Sequence, residues 1–458
     1  MRGLEEARQL PLEERLFTLL SLASSIPEDV TERELEDLVA AVPSQAEVLR
    51  HLFLSDPAIR RVAMEVSRWA GWYLGMVRGA KEEGKKVVLS SFNTAPEVLY
   101  ALDLVPLVPE VLTSFATIFL EDPHVYFDWS VEEGLLETMC TSQRAACGAI
   151  LKGLGLRPDL VVTAAPGSCD ANSKLYEYMA VRLGVPYLGI DCPTYHGERA
   201  FRYYLKEYRH QVRKLEEFAG RKLEEERLRE VVEESEKCRR CYLEINDLKR
   251  ARPNPVHSCF NIFLQAVKFS SVGTPQGTKL FETVLEASKD RLRRREGAKP
   301  EERIRQIWVY TGFYSPSMDL WFWLEENGMS YVVDILTLFH AERPIDTSSL
   351  DTMLEGLAQR CWNYPMTRQQ RGPMDYPEQW LEDYLWCVEQ WGGDCFVFAG
   401  HPACKNVWGG FQAFIRALQK ETGLPCLKIE ADCWDFRVSP VSEIKRRILE
   451  FNETMGLG

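Results

Sequence analysis

Apolar residues recur every three or four positions through the first 85 residues, where Leu10, Leu16, Leu19, Leu20 and Leu22 lie among charges and Trp69, Trp72 and Tyr73 form an aromatic stripe. That period predicts amphipathic helices, with the stripe packed against a core. After Gly84 the pattern changes. Short runs rich in Val and Ile occur at Val87–Ser90, Leu160–Ala164, Tyr187–Ile190, Ile307–Thr311, Tyr331–Leu336, Phe396–Ala399 and Leu427–Ile429, each followed by a longer helical stretch. Such alternation predicts parallel sheets with helices on both faces.

Two segments interrupt it. Glu198 to Arg252 is long, charged and helical, and reads as a solvated helix pair inserted into or bridging the domains. Arg291–Arg305 has seven basic and three acidic residues, no apolar face, and breaks at Gly297 and Pro300. It reads as a solvated linker and places the domain boundary. The chain thus divides into an N-terminal helical region (1–85), a first α/β domain with the helical insertion (86–297) and a second α/β domain (298–458). Val161 to Cys192 can be laid beside Val397 to Cys433. Each is a strand, a Pro, a Cys two or three residues later, a helix, a Gly-x-Pro turn, a strand and then Asp-Cys. Two copies of one plan predict two doubly wound, Rossmann-like domains whose ligand crevice lies at the carboxyl ends of the strands. Cys169 and Cys404 fall in those loops.

Composition narrows the chemistry. Of 458 residues, 45% are hydrophobic and 27% charged, as in ordinary folded proteins. The balance of 55 basic and 68 acidic residues, net −13, lacks the cationic surface that general nucleic-acid or anionic-membrane binding needs. Acidic residues near the N-terminus, where a signal peptide is basic and then apolar, point to a cytoplasmic protein. The most apolar stretch, Val98 to Leu120, is broken by Asp103, Pro106, Pro109 and Glu110, so no membrane span is expected. Thirteen cysteines in a reducing compartment point to metal or redox chemistry over disulfides.

A cysteine just past a strand and at the start of a helix meets amide donors and the positive end of the helix dipole, which favour the thiolate. Cys169 and Cys404 hold equivalent places of this kind, and Cys140, ahead of the same first-domain strand as Cys169, offers a third sulfur. Iron–sulfur clusters usually take four cysteines, so three would leave one iron open to an oxygen-bearing substrate.

The segments Cys140-Thr-Ser-Gln-Arg-Ala-Ala-Cys-Gly, Gly167-Ser-Cys169-Asp-Ala-Asn-Ser-Lys and His401-Pro-Ala-Cys404-Lys resemble the three cysteine motifs of the 2-hydroxyacyl-CoA dehydratase and benzoyl-CoA reductase family. The ending from Gly423 through Asp432, Asp435 and Arg437, and the early stretch from Phe92 through Glu97, are similar as well. The resemblance spans roughly residues 86 to 455. It implies a [4Fe-4S] cluster on Cys140, Cys169 and Cys404, a homologous partner subunit, in a heterodimer or a homodimer, and an acyl-CoA substrate. It further implies an ATP-hydrolysing iron–sulfur activator that injects a low-potential electron, from which a ketyl radical of the thioester forms and the hydroxyl is expelled. No G-x-x-x-x-G-K-[ST] motif is present, so the ATP is expected to be used by the activator. Ring reduction as in benzoyl-CoA reductase, a double-cubane [8Fe-9S] cluster, and a non-catalytic electron-transfer subunit stand as rivals.

His401, beside Cys404, is the candidate catalytic residue: it can donate a proton, hydrogen-bond a cluster sulfide, or cap the next helix. Cys238 and Cys241, with Cys259, form a minority second metal site. Cys192, Cys361 and Cys433 are the reserve ligands for a larger cluster, and Cys387 and Cys395 flank a turn. His124, Trp129, Tyr195 and His196 are expected in loops, where they can line a substrate pocket.

Overall fold

The structure, a computed structural model, describes residues 10–457 apart from 28, 41–45, 120–123, 153–155, 165–168, 314–316 and 370–376. Four helices open the chain: α1 (Leu12–Ser24), α2 (Glu32–Ala40), α3 (Ala46–Leu54) and α4 (Pro57–Gly79). The Asp56 carboxylate accepts from the Ala58 amide at 2.7 Å, and Pro57 supplies a preset φ at the first helical position. From that start, α4 buries Val62, Val66, Trp69, Tyr73 and Val77 on one face. The Trp69 indole donates to Ser271 Oγ at 3.0 Å and the Tyr73 hydroxyl to the Pro106 carbonyl at 3.1 Å, so the aromatic stripe is indeed a core face.

The first sheet is built from β1 (Lys86–Ser90), α5 (Pro96–Ala101), β2 (Leu104–Leu107), α6 (Pro109–Phe119), α7 (His124–Glu132), α8 (Thr141–Lys152), β3 (Leu160–Ala164), α9 (Asp170–Leu183) and β4 (Tyr187–Ile190). Four helices follow: α10 (Glu198–Ala219), α11 (Glu225–Leu248), α12 (Ser258–Ser270) and α13 (Pro275–Arg294). The second sheet is formed by β5 (Ile304–Trp308), α14 (Ser317–Glu326), β6 (Met329–Val333), α15 (Leu350–Trp362), α16 (Glu378–Trp391), β7 (Cys395–Gly400), α17 (Lys405–Thr422), β8 (Cys426–Glu430) and the closing α18 (Val441–Met455). All pairings are parallel. The strand orders are β2-β1-β3-β4 and β6-β5-β7-β8, so the duplication seen in one strand–helix–strand unit extends to both whole sheets.

Period-2 alternation divides the first sheet between two cores. Val87, Leu89, Val105 and Val161 join a core that runs on through the N-terminal helices and most of the second domain. Val88, Leu104, Leu160 and Val162 face a second core under α10, α11 and α15. The charged pair α10–α11 is therefore not simply solvated: Tyr204, Tyr208, Val212 and Leu215, then Leu228, Val231 and Val232, form buried stripes at helical spacing.

Strand β2 is absent from the expected runs; it is an edge strand that carries Pro106, where a missing N–H is tolerated. Arg291–Arg305 is exposed over most of its middle, as a solvated linker would be, but its two ends are buried. Arg291, in the last turn of α13, is buried and donates to Asp56 Oδ2 at 3.2 Å and Glu325 Oε2 at 2.8 Å. Arg305, inside β5, is fully buried, paired with Glu302 and donating to the carbonyls of Lys249, Ala251 and Trp391. Charge runs at element ends can thus close a core when each guanidinium finds anions and carbonyls. No helix among the described residues is long and apolar enough to cross a membrane.

Candidate active site

Three helices begin with a cysteine and open on one cavity. The carbonyls of Cys140, Cys169 and Cys404 accept the first i+4 amide bonds of α8, α9 and α17, from Arg144 (3.0 Å), Ser173 (3.4 Å) and Trp408 (3.3 Å). All three side chains line a cavity of about 320 Å³ between the domains, at the carboxyl ends of β3 and β7, together with Glu110, Tyr310, His401 and Trp434. Among the described residues the three sulfurs lie outside any group whose ligand atoms are all within 4.8 Å of one another.

The local sequence holds these helices in place. Arg144, one turn into α8, folds back to the Met139 carbonyl at 3.2 Å and to the Phe127 carbonyl at 3.4 Å, fixing the loop that carries Cys140. Gly148 allows α7 and α8 to touch: a Cβ there would sit 2.4 Å from the Tyr126 carbonyl oxygen. Across the cleft, His401 Nε2 accepts from the Thr141 amide at 3.4 Å, and the Thr141 hydroxyl donates to Asp432. The second domain therefore grips the first turn of α8 directly. Arg437 adds a rim clasp, bidentate to Asp128 of α7 at 2.9 Å for both bonds.

Burial overrides the helix termini. The Cys140 thiol is pushed up to about 12, chiefly by desolvation, against the lowering effect of the Gln143 and Ser142 amides, with Cys404 and Asp432 adding repulsion. Cys169 is raised as well, again by burial first and then by Cys140. The expectation that helix starts alone favour thiolates is corrected accordingly: without a cation the two sulfurs are thiols. Desolvation lowers the His401 pKa, with Arg144 reinforcing it and Asp432 opposing it, so the ring is neutral at neutral pH.

Several polar groups at the site carried no sequence signal. Glu110, at the start of α6, accepts from Gln143 Nε2 (2.7 Å), Asn172 Nδ2 (3.1 Å) and the Tyr176 hydroxyl, and burial raises its pKa despite these donors. Tyr310 sets its hydroxyl against Cys404. Ser142 Oγ, Gln143 Oε1 and His401 Nδ1 are buried without hydrogen-bond partners among the described residues. Such atoms at a cavity wall fit a polar or ionic occupant.

Other candidates lie elsewhere. His124 and Trp129 belong to α7, Tyr195 is exposed, and His196 sits edge-on to Trp362; none lines the cavity. Helix α7 turns Tyr126, Phe127 and Ser130 inward, which leaves Trp129 off that face. Cys238 faces Thr278 Oγ1 at 3.6 Å while Cys259 faces His257 Nδ1 at 2.9 Å, and with Cys241 they form no three-ligand group among the described residues. Cys387 and Cys395 are core residues. Cys192 and Cys361 sit in the second core, Cys361 accepting from the Ala95 amide at 3.3 Å. Of these, Cys433 approaches the site: burial raises its thiol pKa first, with Asp432, Cys140 and Cys404 adding to the rise. Glu97 pairs with Arg360 away from the cavity.

Residues 92–455 match the 2-hydroxyglutaryl-CoA dehydratase D-component family. The chain belongs to this family. It is also 24% identical, over 296 residues covering 63% of this chain and 68% of the relative, to the (R)-phenyllactyl-CoA dehydratase alpha subunit of Clostridium sporogenes. This dehydratase-family chain is thus a component of a 2-hydroxyacyl-CoA dehydratase, a lyase. All three cysteine-headed helices fall within the matched segment.

Proposed function

We propose that this dehydratase component binds a [4Fe-4S] cluster through Cys140, Cys169 and Cys404 and acts on a 2-hydroxyacyl-CoA in the cytoplasm, with a second homologous subunit and an ATP-hydrolysing activator. One observation carries the reading: three cysteines from two domains, each heading a helix, open on a single cavity in a chain of this family. When bound, the cluster supplies one-electron chemistry and an iron without a protein sulfur. The chain's own residues prepare the rest. Glu110, held by three donors with its pKa raised, can keep or release a proton at Oε2. Neutral His401, anchored through Nε2 to the Thr141 amide, keeps Nδ1 for a proton toward Asp432 or the occupant. Lys174 and Lys405, exposed in the first turns of α9 and α17, suit the phosphates of the CoA carrier. The predominantly apolar walls exclude water from the reacting carbons.

The test is anaerobic purification with iron and sulfide analysis, then turnover with and without activator, ATP and reductant. About four irons and four sulfides per chain, with dehydration only in the complete mixture, is the expected result. Roughly eight irons, lost on Cys433→Ser, would replace the single cluster by a double-cubane [8Fe-9S] one. Dehydration by the chain and its partner alone, without ATP or reductant, would overturn the electron-injection scheme.

A further inference from the structure

The cavity wall contributed by elements without cluster cysteines has a consistent chemistry. Helix α12 lines the cavity with Ile262, Ala266 and Phe269, a single i, i+4, i+7 stripe, and Phe92 packs on Phe269 with ring centroids 5.4 Å apart. Leu336 and Met366 complete the wall. Met366 holds φ +66, a conformation rare for a side chain with a Cβ, and its amide is tied to Gln369 Oε1 at 2.7 Å. A backbone kept in the left-handed region at a cavity wall indicates that the placement of this side chain matters. Gln265 is the one polar neighbour on the α12 stripe, and it is neutral.

No arginine lines the cavity among the described residues. The two lysines are exposed and lie on the cysteine-bearing helices, and the interior carboxyl group is Glu110. A substrate carboxylate placed against α12 would be desolvated with no counter-ion among the described residues. We infer that the acyl group taken by this site is uncharged and bulky, an aryl or branched alkyl chain seated on Phe269 and Ala266 and bounded by Met366, and that dicarboxylic acyl groups are rejected. This rests on the CoA-thioester reading above.

The test is calorimetric titration of the anaerobically purified full chain, with any co-purifying subunit retained, using 3-phenylpropionyl-CoA, propionyl-CoA, glutaryl-CoA and free CoA. These thioesters lack the 2-hydroxyl, so the measurement needs no turnover and no electron supply. Phenylpropionyl-CoA should bind about 30-fold more tightly than propionyl-CoA, the gain of burying one ring. Glutaryl-CoA should bind more weakly than propionyl-CoA, and so more than about 30-fold more weakly than phenylpropionyl-CoA. Ala266→Leu, which fills the wall, should remove most of the phenyl advantage and leave propionyl-CoA within about 2-fold. Met366→Gly, which relaxes the φ +66 backbone, is the second variant and should erode the same ratio about 3-fold. Glutaryl-CoA equal to or tighter than propionyl-CoA would overturn the inference while leaving the CoA reading intact. So would an unchanged phenyl-to-propionyl ratio in both variants. Failure of every CoA species to bind would remove the CoA reading itself, and the inference with it.

Discussion

The two Asp-Cys pairs that close the duplicated units have the same sequence and opposite fates. Asp191 is exposed and accepts a single hydroxyl bond from Tyr203 at 2.8 Å, while Cys192 faces the second core. Asp432 is buried and accepts from the Thr141 hydroxyl and from the Trp434 and Asp435 amides, both at 2.9 Å, while Cys433 lies 3.2 Å from Thr311 Oγ1 beside the cysteine cavity. Strands β4 and β8 are both sheet edges, so the backbone plan is identical. The difference comes from the neighbour: the end of β8 meets α8 of the other domain, and the end of β4 meets solvent and α10. Duplication copied a backbone, and the cleft between the copies gave only one pair a role.

The largest effect that can break this contrast is on iron. Cys140→Ser, Cys169→Ser and Cys404→Ser are each expected to lose most of the iron and the broad visible absorbance, whereas Cys192→Ser keeps both, by metal analysis on anaerobic protein. Iron loss from Cys192→Ser would mean that the two halves are more alike than their surroundings suggest. Next in size is stability. Asp432→Ala leaves three donors without an acceptor and should cost about 2–4 kcal/mol in urea unfolding, against less than about 0.5 kcal/mol for Asp191→Ala.

The smallest effect is shared by both halves. Burial pushes Cys147 of the first domain and Cys395 of the second up to about 12 from an ordinary 9.0. A raised thiol pKa stabilises the fold fully below pH 9, and that contribution is lost as pH rises from 9 toward 12. Each cysteine should therefore remove about 1 kcal/mol per pH unit above 9, equally in Cys147→Ala and Cys395→Ala difference curves. Lys249, pulled down to about 8 from 10.5 by burial, works in the opposite sense, because its desolvation cost is relieved between those values. Lys249→Met should accordingly steepen the alkaline loss.

Much of the frame was legible because β3, β4 and β7 are near-continuous apolar runs bounded by turn residues. Leu160–Ala164 and Tyr187–Ile190 coincide with the observed strands. The pattern misleads where polar residues are buried: β5 begins at Ile304, three residues before the expected run, because Arg305 and Gln306 are interior strand residues that donate to groups distant in sequence, the Trp391 carbonyl and Met329 Sδ. The placing of Cys169 and Cys404 on one cavity followed from the strand–loop–helix repeat, whereas Cys140 lies outside the repeat and was joined to them by the family resemblance. Glu110 did not, since a Glu after a Pro at a helix start looks like an ordinary first-turn acid, and its donors come from α8 and α9. Nor did Tyr310, whose apolar neighbours place it in a strand pattern without showing which way the chain leaves the sheet.

Strand β1 ends at Ser90, two residues before the family match begins, yet it is the strand that joins β2 to β3. A fragment cut at the homology border would keep every cysteine-headed helix and lose the middle of the sheet beneath two of them. It would also leave Arg291 of α13 without Asp56, and Ser271 without the Trp69 indole. Ancestry and folding draw different borders on this chain, and the autonomous unit is the longer one.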